Sequence, residues 1–180
     1  CYLMGNTMIG NNCIIGPNTE MMNATIKDNV SCIHSVVYNS TIMEKATVGP
    51  FAHIRMNAIV GMGDRIGNFV EIKNSILGDK TNVAHLTYVG DTDCGSRVNF
   101  GCGTVTVNYD GENKYRTTIG DNVFIGCNAN LIAPVELMSN SFIAAGSTIT
   151  KDVPEDTFAI ARSIQINKEN YVKNWKKKKN

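Results

Sequence analysis

The sequence has little charge, few aromatic residues and no long apolar segment. Charged residues make up 18% of the 180 positions, aromatic residues 7%, and the formal net charge is +1. A nearly neutral chain lacks the basic face that a nucleic-acid-binding domain needs, so we expect no nucleic-acid partner. No apolar run approaches the roughly 20 residues of a membrane-spanning helix, and no signal peptide is recognisable, so we expect no membrane partner.

The six cysteines form no recognisable disulfide or zinc pattern. There is no CxxC pair, and no histidine stands near a cysteine at the spacing of a zinc site. A chain of this length can bury a sufficient core without disulfides. The sequence therefore predicts reduced thiols in a cytoplasmic protein that requires no metal.

An aliphatic residue recurs at every sixth position over much of the chain, as in Ile119, Ile125, Leu131, Leu137, Ile143 and Ile149. A small residue precedes most of these by two positions, and Asp64 is the one clear exception. A helix needs apolar intervals of three and four, and an ordinary strand needs alternation, so neither produces a strict period of six. The period predicts an all-β fold, a parallel β-helix with three short strands in each coil of about 18 residues.

Two segments leave this period and define the expected organisation. Seven extra residues lie between Thr106 and Ile119, which predicts a protruding loop over residues 107–118. We expect the β-helix over residues 1–155 and a C-terminal arm with a basic, solvated tail over residues 156–180. The arm could contain a short strand or helix. The sequence begins at Cys1 rather than Met, which suggests a fragment of a longer protein.

Outward-facing residues of successive coils form columns, because three repeat steps return to the same edge. One predicted column contains Asn68, His85, Cys102, Cys127 and Ala145. In this column an imidazole has small side chains above it and an overhanging loop beside it. This combination predicts a slot for an extended ligand. A metal site formed by the three histidines of the chain is the alternative interpretation of His85. His34 would lie roughly 14 Å from His85 along the column, and His53 lies elsewhere, so the three cannot share one ion.

Four segments carry a more specific signal: GNFVEIKNS, AHLTYVGD, VNFGCGTVTVNYDGENKYRTTIGD and IAAGSTITKDVPEDTFAIAR. They resemble the acetyltransferase domain of the bacterial bifunctional GlmU family of hexapeptide-repeat proteins. The resemblance implies a left-handed coil and a homotrimer with sites between subunits. It implies acetyl transfer from acetyl-CoA to the 2-amino group of α-D-glucosamine 1-phosphate, on the route to UDP-GlcNAc and the cell envelope. The family's N-terminal uridylyltransferase domain is absent from this sequence.

The resemblance also assigns roles to single residues. His85 matches the family's general base. Five residues match family positions that hold the sugar phosphate: Arg55, Lys73, Tyr88, Asn99 and Lys114. Seven residues match family positions that line acetyl-CoA: Cys102, Asn108, Tyr109, Cys127, Ala145, Arg162 and Lys168. Two of them, Asn108 and Tyr109, also match positions near the reacting amine. Cys102 and Cys127 stand where we expect the small Ala and Ser of the family.

The residue types agree with this chemistry. An amine attacks a thioester only as its free base, and an imidazole that titrates near neutrality can accept the proton. Glu71, on the preceding coil, is expected to orient the imidazole, and the Asn108 amide is a candidate donor to the oxyanion. The positive charges of Arg55, Lys73 and Lys114 suit a phosphate monoester.

Two alternatives stay open at this stage. The chain could acetylate another amino sugar, which a panel of substrates would reveal. It could also be a non-catalytic trimerisation module of a nucleotidyltransferase, which would not bind CoA.

Overall fold

Short parallel strands follow one another along almost the whole chain in this computed structural model, which describes residues 1–177. They form three sheets, and the strands are numbered in chain order. Sheet 1 contains β1 (Tyr2–Met4), β4 (Glu20–Met22), β7 (Val36–Tyr38), β10 (His53–Arg55), β13 (Glu71–Lys73), β16 (Tyr88–Gly90), β19 (Val105–Val107), β22 (Asn130–Ile132) and β25 (Thr148–Ile149). Sheet 2 contains β2 (Met8–Ile9), β5 (Thr25–Ile26), β8 (Thr41–Ile42), β11 (Ile59–Val60), β14 (Ile76–Leu77), β17 (Thr92–Cys94), β20 (Thr117–Ile119) and β23 (Val135–Leu137). Sheet 3 contains β3 (Ile14–Ile15), β6 (Ser31–Cys32), β9 (Thr47–Val48), β12 (Arg65–Asn68), β15 (Asn82–His85), β18 (Asn99–Phe100), β21 (Phe124–Ile125), β24 (Phe142–Ile143) and β26 (Phe158–Ala159).

Each strand pairs in parallel with the strands one coil away. Ile54 faces Ile72 in sheet 1, and Val83 faces Phe100 in sheet 3, so like positions of the repeat lie directly above one another. The chain is a left-handed parallel β-helix, and the prediction from the six-residue period is confirmed.

The core is the interior of this coil. From Val48 to Ile149, every residue of the six-residue series is buried, and so are the small residues two positions before them. Ile125, Leu131 and Leu137 are fully buried, with Val123, Ala129 and Val135 beside them. A large and a small residue per strand fill a narrow triangular interior without voids, which is why the pattern repeats so strictly.

The two interruptions of the period differ in extent from their predicted ranges. Because β19 ends at Val107 and β20 begins at Thr117, residues 108–116 leave the coil rather than residues 107–118. The β-helix also continues beyond residue 155. Strand β26 pairs with β24, and the Thr148 amide donates to the Ala161 carbonyl at 3.1 Å.

The C-terminal arm contains one short helix, α1 (Tyr171–Lys177). The last residues of the predicted basic tail, 178–180, lie outside the described part of the chain. Among residues 1–177, no helix is long and apolar enough to cross a membrane.

Asp64 occupies an inward position and is only 1% exposed. Its carboxylate accepts backbone N–H bonds from Gly61 and Thr81, both at 2.7 Å, and these two bonds replace some of the lost water. Burial nevertheless raises the pKa of Asp64 to about 7, with a smaller contribution from the neighbouring Asp79. The exception seen in the sequence is therefore a buried carboxyl group that forms no ion pair with a described residue.

We predict that Asp64 makes the protein less stable at mildly alkaline pH. Its pKa is higher in the folded chain than in the unfolded chain. Its favourable contribution to the free energy of unfolding is therefore complete below about pH 4 and is lost as the pH rises through about 7. Denaturant unfolding at pH 5 and pH 8 should show a loss on the order of a few kcal/mol for the wild type. The loss should shrink in Asp64→Asn and persist in the exposed control Glu155→Gln. Equal pH dependence in Asp64→Asn and wild type would contradict the assignment.

Candidate active site

His85 stands at the end of β15, at the corner where sheet 3 turns toward sheet 1, and its side chain is exposed. Its Nδ1 lies 2.9 Å from Oδ1 of Asn68, which faces it in register on the preceding coil. An amide oxygen only accepts hydrogen bonds, so this contact requires the proton on Nδ1. The Nε2 lone pair then remains available to accept a proton from a ligand.

An apolar ridge runs along the adjacent corner. Phe51, Phe69 and Leu86 occupy it on three successive coils, with φ angles of +59°, +56° and +45°. The same left-handed backbone recurs at other corners of the coil, as at Lys45, Lys80 and Arg97, so it belongs to the turns of this fold and does not distinguish the ridge. All three side chains are more than half exposed, and the two phenyl rings stack at 5.5 Å. We call these three residues the corner ridge.

Two concave surfaces flank the corner ridge. One, of about 220 Å³, is lined by His85 with Asn68 and Arg65. The other, of about 420 Å³, is lined by Glu71 and Tyr88 on sheet 1. The ridge residues Phe51 and Phe69 border both surfaces.

Glu71 does not orient His85 within this chain, which corrects the role expected from the sequence. Its carboxylate accepts a hydrogen bond from Arg55 Nε at 2.6 Å, and both side chains are about one-third exposed. Asn68 takes the place beside the imidazole instead. The reason is geometric, because Glu71 projects from sheet 1 on the far side of the corner ridge, whereas Asn68 lies directly in register with His85.

Lys73 is buried rather than presented to solvent, which also differs from the expectation of a free phosphate-binding cation. It is 5% exposed, and its ammonium lies 2.9 Å from a carboxylate oxygen of Asp91. The Asn108 amide, 8% exposed at the base of the loop, donates to the same oxygen. Asn108 also approaches the Tyr88 hydroxyl at 3.4 Å, so the structure brings Lys73, Tyr88 and Asn108 together.

The remaining candidate residues lie on another side of the coil. Cys102 and Cys127 continue the His85 column, because the Asn128 amide donates to the Cys102 carbonyl and the Gly146 amide to the Cys127 carbonyl. Ala145 ends the column, and its carbonyl accepts from Arg162 Nη1 at 3.1 Å. Asn99 projects from sheet 3 below Phe124.

Three candidates belong to the exposed periphery. Tyr109 and Lys114 form a two-residue bridge in the loop, and both are exposed. Lys168 lies over the Tyr171 ring of the C-terminal arm at 5.8 Å, apart from the other candidates. A single chain thus distributes the predicted site over two faces and an arm.

The histidines do not assemble into a metal centre. His34 contacts Asn18 and the Phe51 ring, whereas His53 lies beside the Tyr38 ring. Within the part of the chain that the structure describes, no group of three or more potential ligands among His, Cys, Asp and Glu could hold an ion.

Asp91 is the residue of this region that the sequence analysis missed. It follows β16 directly, in the segment AHLTYVGD, at a corner with a φ of +50°. The sequence contained one signal for this residue. Its position in the repeat places Asp91 one coil above Asn74 and next to Lys73, where its carboxylate can pair with the lysine ammonium group.

Two family models match the chain. Residues 1–96 match the GMPPB C-terminal domain, and residues 116–151 match the bacterial transferase hexapeptide model of six repeats. The bifunctional protein GlmU of Clostridium kluyveri is 56% identical over 168 residues, which are 93% of this chain and 37% of that protein. The chain therefore spans little more than a third of the length of this curated relative.

Solved structures share the fold at low sequence identity. The UDP-N-acetylglucosamine acyltransferase LpxA of Bacteroides fragilis aligns with a TM-score of 0.76 and 20% identity, over 87% of this chain and 68% of that one. The acetyltransferase domain of PglB from Neisseria gonorrhoeae, in complex with acetyl coenzyme A, aligns with a TM-score of 0.50 and 24% identity, over 69% of this chain and 57% of that one. These similarities establish the left-handed β-helix and nothing finer.

The fold and the repeats define a hexapeptide-repeat β-helix protein, and the chain belongs to the GMPPB C-terminal domain family. Its 56% identity to GlmU over 93% of its length makes it a homologue of the C-terminal part of that protein.

We predict that the cysteines differ sharply in reactivity. Cys127 is exposed and Cys102 half-buried, whereas Cys32 and Cys94 lie in the core. Burial raises the pKa of Cys32 to about 12 and also raises that of Cys94, so both lack the reactive thiolate at neutral pH. Brief treatment with N-ethylmaleimide at pH 7, followed by peptide mass spectrometry, should label Cys102 and Cys127. Cys32 and Cys94 should be labelled only after unfolding, and equal labelling of all four would refute the prediction.

Proposed function

We propose that the chain transfers the acetyl group of acetyl-CoA to the 2-amino group of α-D-glucosamine 1-phosphate. The observation that carries this proposal is the exposed imidazole of His85, whose Nδ1 is occupied by Asn68 and which stands at the foot of a column of small residues. The identity to GlmU supports the same substrate, because it extends over 93% of the chain.

The reaction is a direct attack without an acyl-enzyme intermediate. The amine nitrogen forms a bond to the thioester carbonyl carbon, and His85 Nε2 accepts the proton that the amine releases. The tetrahedral intermediate then collapses, the carbon–sulfur bond breaks, and the imidazolium returns the proton to the departing CoA thiolate. The hydrogen bond to Asn68 holds the ring in the tautomer that this sequence needs.

Acetyl-CoA would follow the column above His85. Cys102, Cys127 and Ala145 present small side chains on successive coils, which places Ala145 roughly 14 Å from the imidazole along the axis. An extended pantetheine chain can therefore lie in the column with its thioester at His85. Arg162, which is anchored on the Ala145 carbonyl, and Lys168 supply positive charge for the CoA phosphates at the far end. The acetyl-CoA complex of the PglB domain supports this choice of co-substrate.

The sugar phosphate would lie on sheet 1, where Arg55 and Tyr88 are partly exposed. Arg55 can offer the remaining guanidinium donors to a phosphate while Nε stays on Glu71. Lys114 would approach from the loop. In this proposal Lys73 does not offer a free positive charge to the phosphate, because Asp91 neutralises that charge. Its role is to form hydrogen bonds within the buried Asp91 cluster.

We further propose a homotrimer in which the site forms between subunits. Sheet 1 holds the sugar-binding candidates Arg55, Lys73 and Tyr88, and the corner ridge separates them from the acetyl-CoA column within one chain. Asn99, the sugar-binding candidate on sheet 3, lies on the side of the acetyl-CoA column. A neighbouring copy that packs against the ridge would bring the second half of the site to the first and cover the exposed Phe51, Phe69 and Leu86. We place the reaction in the cytoplasm, which the six free thiols support.

The proposed function predicts that His85→Asn loses acetyl transfer while the fold is retained. With acetyl-CoA and glucosamine 1-phosphate, release of free CoA should fall by about 10²- to 10⁴-fold, because no group remains to accept the amine proton. The control is Glu155→Gln, which changes an exposed side chain that borders neither concave surface and should keep wild-type activity. Near-normal turnover in His85→Asn would refute the general-base role.

The same assay separates the alternative functions. Glucosamine 1-phosphate should be acetylated faster than glucosamine and glucosamine 6-phosphate. A preference for another amino sugar would redirect the substrate assignment, and a chain that neither binds CoA nor releases it would be the non-catalytic module.

We predict that the corner ridge holds the oligomer together. Light scattering on the purified wild type should give three times the chain mass of 19.6 kDa. The double variant Phe51→Ser/Phe69→Ser should shift toward the monomer and lose activity together with the oligomer. The control Phe158→Ser removes an aromatic residue that is as exposed as Phe51 and Phe69 from the face of sheet 3, and it should remain trimeric. A monomeric, fully active wild type would overturn the proposal.

A further inference from the structure

Asp91 collects three side-chain donors in a buried position. It is 4% exposed, and one oxygen accepts the Lys73 ammonium at 2.9 Å and the Asn108 amide. The other oxygen accepts the Asn74 amide at 2.5 Å. Burial alone raises the pKa of Asp91, but the hydrogen bonds from Asn74, Lys73 and Asn108 hold it below its ordinary value. The group therefore remains an ionised acceptor at neutral pH.

The backbone of Asp91 meets the other end of the loop. The Thr117 amide donates to the Asp91 carbonyl at 3.1 Å, at the point where the chain re-enters the coil. The side chain of Asn108 is bound where the chain leaves the coil. Both ends of the nine-residue excursion 108–116 are thus attached to one residue of the rigid coil.

The neighbouring Asp93 provides a contrast. It pairs with Arg116 in the loop through contacts of 2.5 and 2.7 Å, but the two side chains are 42% and 48% exposed. Water screens and competes with such a pair, whereas the Asp91 cluster is shielded from it. Only the cluster has the burial and the number of hydrogen bonds that can hold a side chain in one place.

We infer that Asp91 is a positioning residue of the proposed acetyl-transfer site, acting by fixing the Asn108 amide and the loop that carries Tyr109 and Lys114. This inference depends on the proposed function for its catalytic consequence. One N–H of the Asn108 amide donates to Asp91, so the second N–H, which approaches the Tyr88 hydroxyl at 3.4 Å, is the candidate donor to the oxyanion. Such a donor contributes to catalysis only when it is held in place before the charge develops. Asp91 itself would touch neither substrate.

The test is a double-mutant cycle between Asp91→Asn and Asn108→Ala, measured on the full chain. Each single variant should lower kcat by about 10- to 100-fold with a smaller change in KM, because misplacement of a catalytic group by about 1 Å has effects of this size. The double variant should be little worse than either single variant, since both remove the same placed amide. Asp93→Asn is the matched control, and its effect on kcat should be small and additive with that of Asn108→Ala.

A second measurement does not depend on activity. Trypsin cleavage after Lys114 should accelerate about tenfold or more in Asp91→Asn while the circular dichroism of the β-helix is unchanged, and it should change little in Asp93→Asn. If Asp91→Asn leaves Lys73 unpaired and fails to fold, Lys73→Gln/Asp91→Asn removes both charges and keeps the volume, and the same loop cleavage is expected.

The outcomes separate the two proposals. Additive effects of Asp91→Asn and Asn108→Ala, or unchanged loop cleavage, would overturn the positioning role even if the wild type is an active acetyltransferase. An inactive wild type with accelerated cleavage in Asp91→Asn would refute the proposed function and retain the anchoring of the loop.

Discussion

Parallel hydrogen bonding between successive coils is the constraint on which the rest of the structure depends. Each backbone amide donates to the coil beside it, as Gly126 does to Ile143 at 2.9 Å, so no coil can change its dimensions without breaking its neighbours. The coils approach so closely that a Cβ on Gly67 would collide with the Ala84 carbonyl. A narrow interior and an invariant coil spacing follow, and they restrict the inward residues to one small and one aliphatic side chain per strand.

The same constraint creates the proposed site. A rigid stack places chemically different side chains in columns with a spacing set by the backbone, and His85 acquires Asn68 as a partner in this way. The coil cannot bend to surround a ligand, so the depth of a pocket must come from elsewhere. In our proposal the loop at residues 108–116 and a second copy of the chain supply this depth.

Two deviations from the repeat illustrate how the coil accommodates polar groups. Asp64 takes an inward position and satisfies its oxygens with the amides of Gly61 and Thr81. Asp91 takes a corner position and gathers side chains from the coil and from the loop. The first group interacts only with the backbone of the coil, whereas the second also binds the side chain of Asn108 at the base of the loop. For this reason we propose a functional role for Asp91 alone.

The six-residue period by itself determined the β-helix, the inward residues and the column of His85, because in a solenoid a sequence interval is a position in space. It could not determine hydrogen-bond partners across a corner. Asn68 and Glu71 lie on the same coil, before and after the corner at Phe69, so Glu71 projects from sheet 1 and pairs with Arg55, whereas Asn68 lies in register with the imidazole. Lys73 looked like a surface cation because the alternation of a strand points it outward. Only the tertiary structure showed that Asp91 and the base of the loop cover it, since those contacts arise where the chain departs from its repeat.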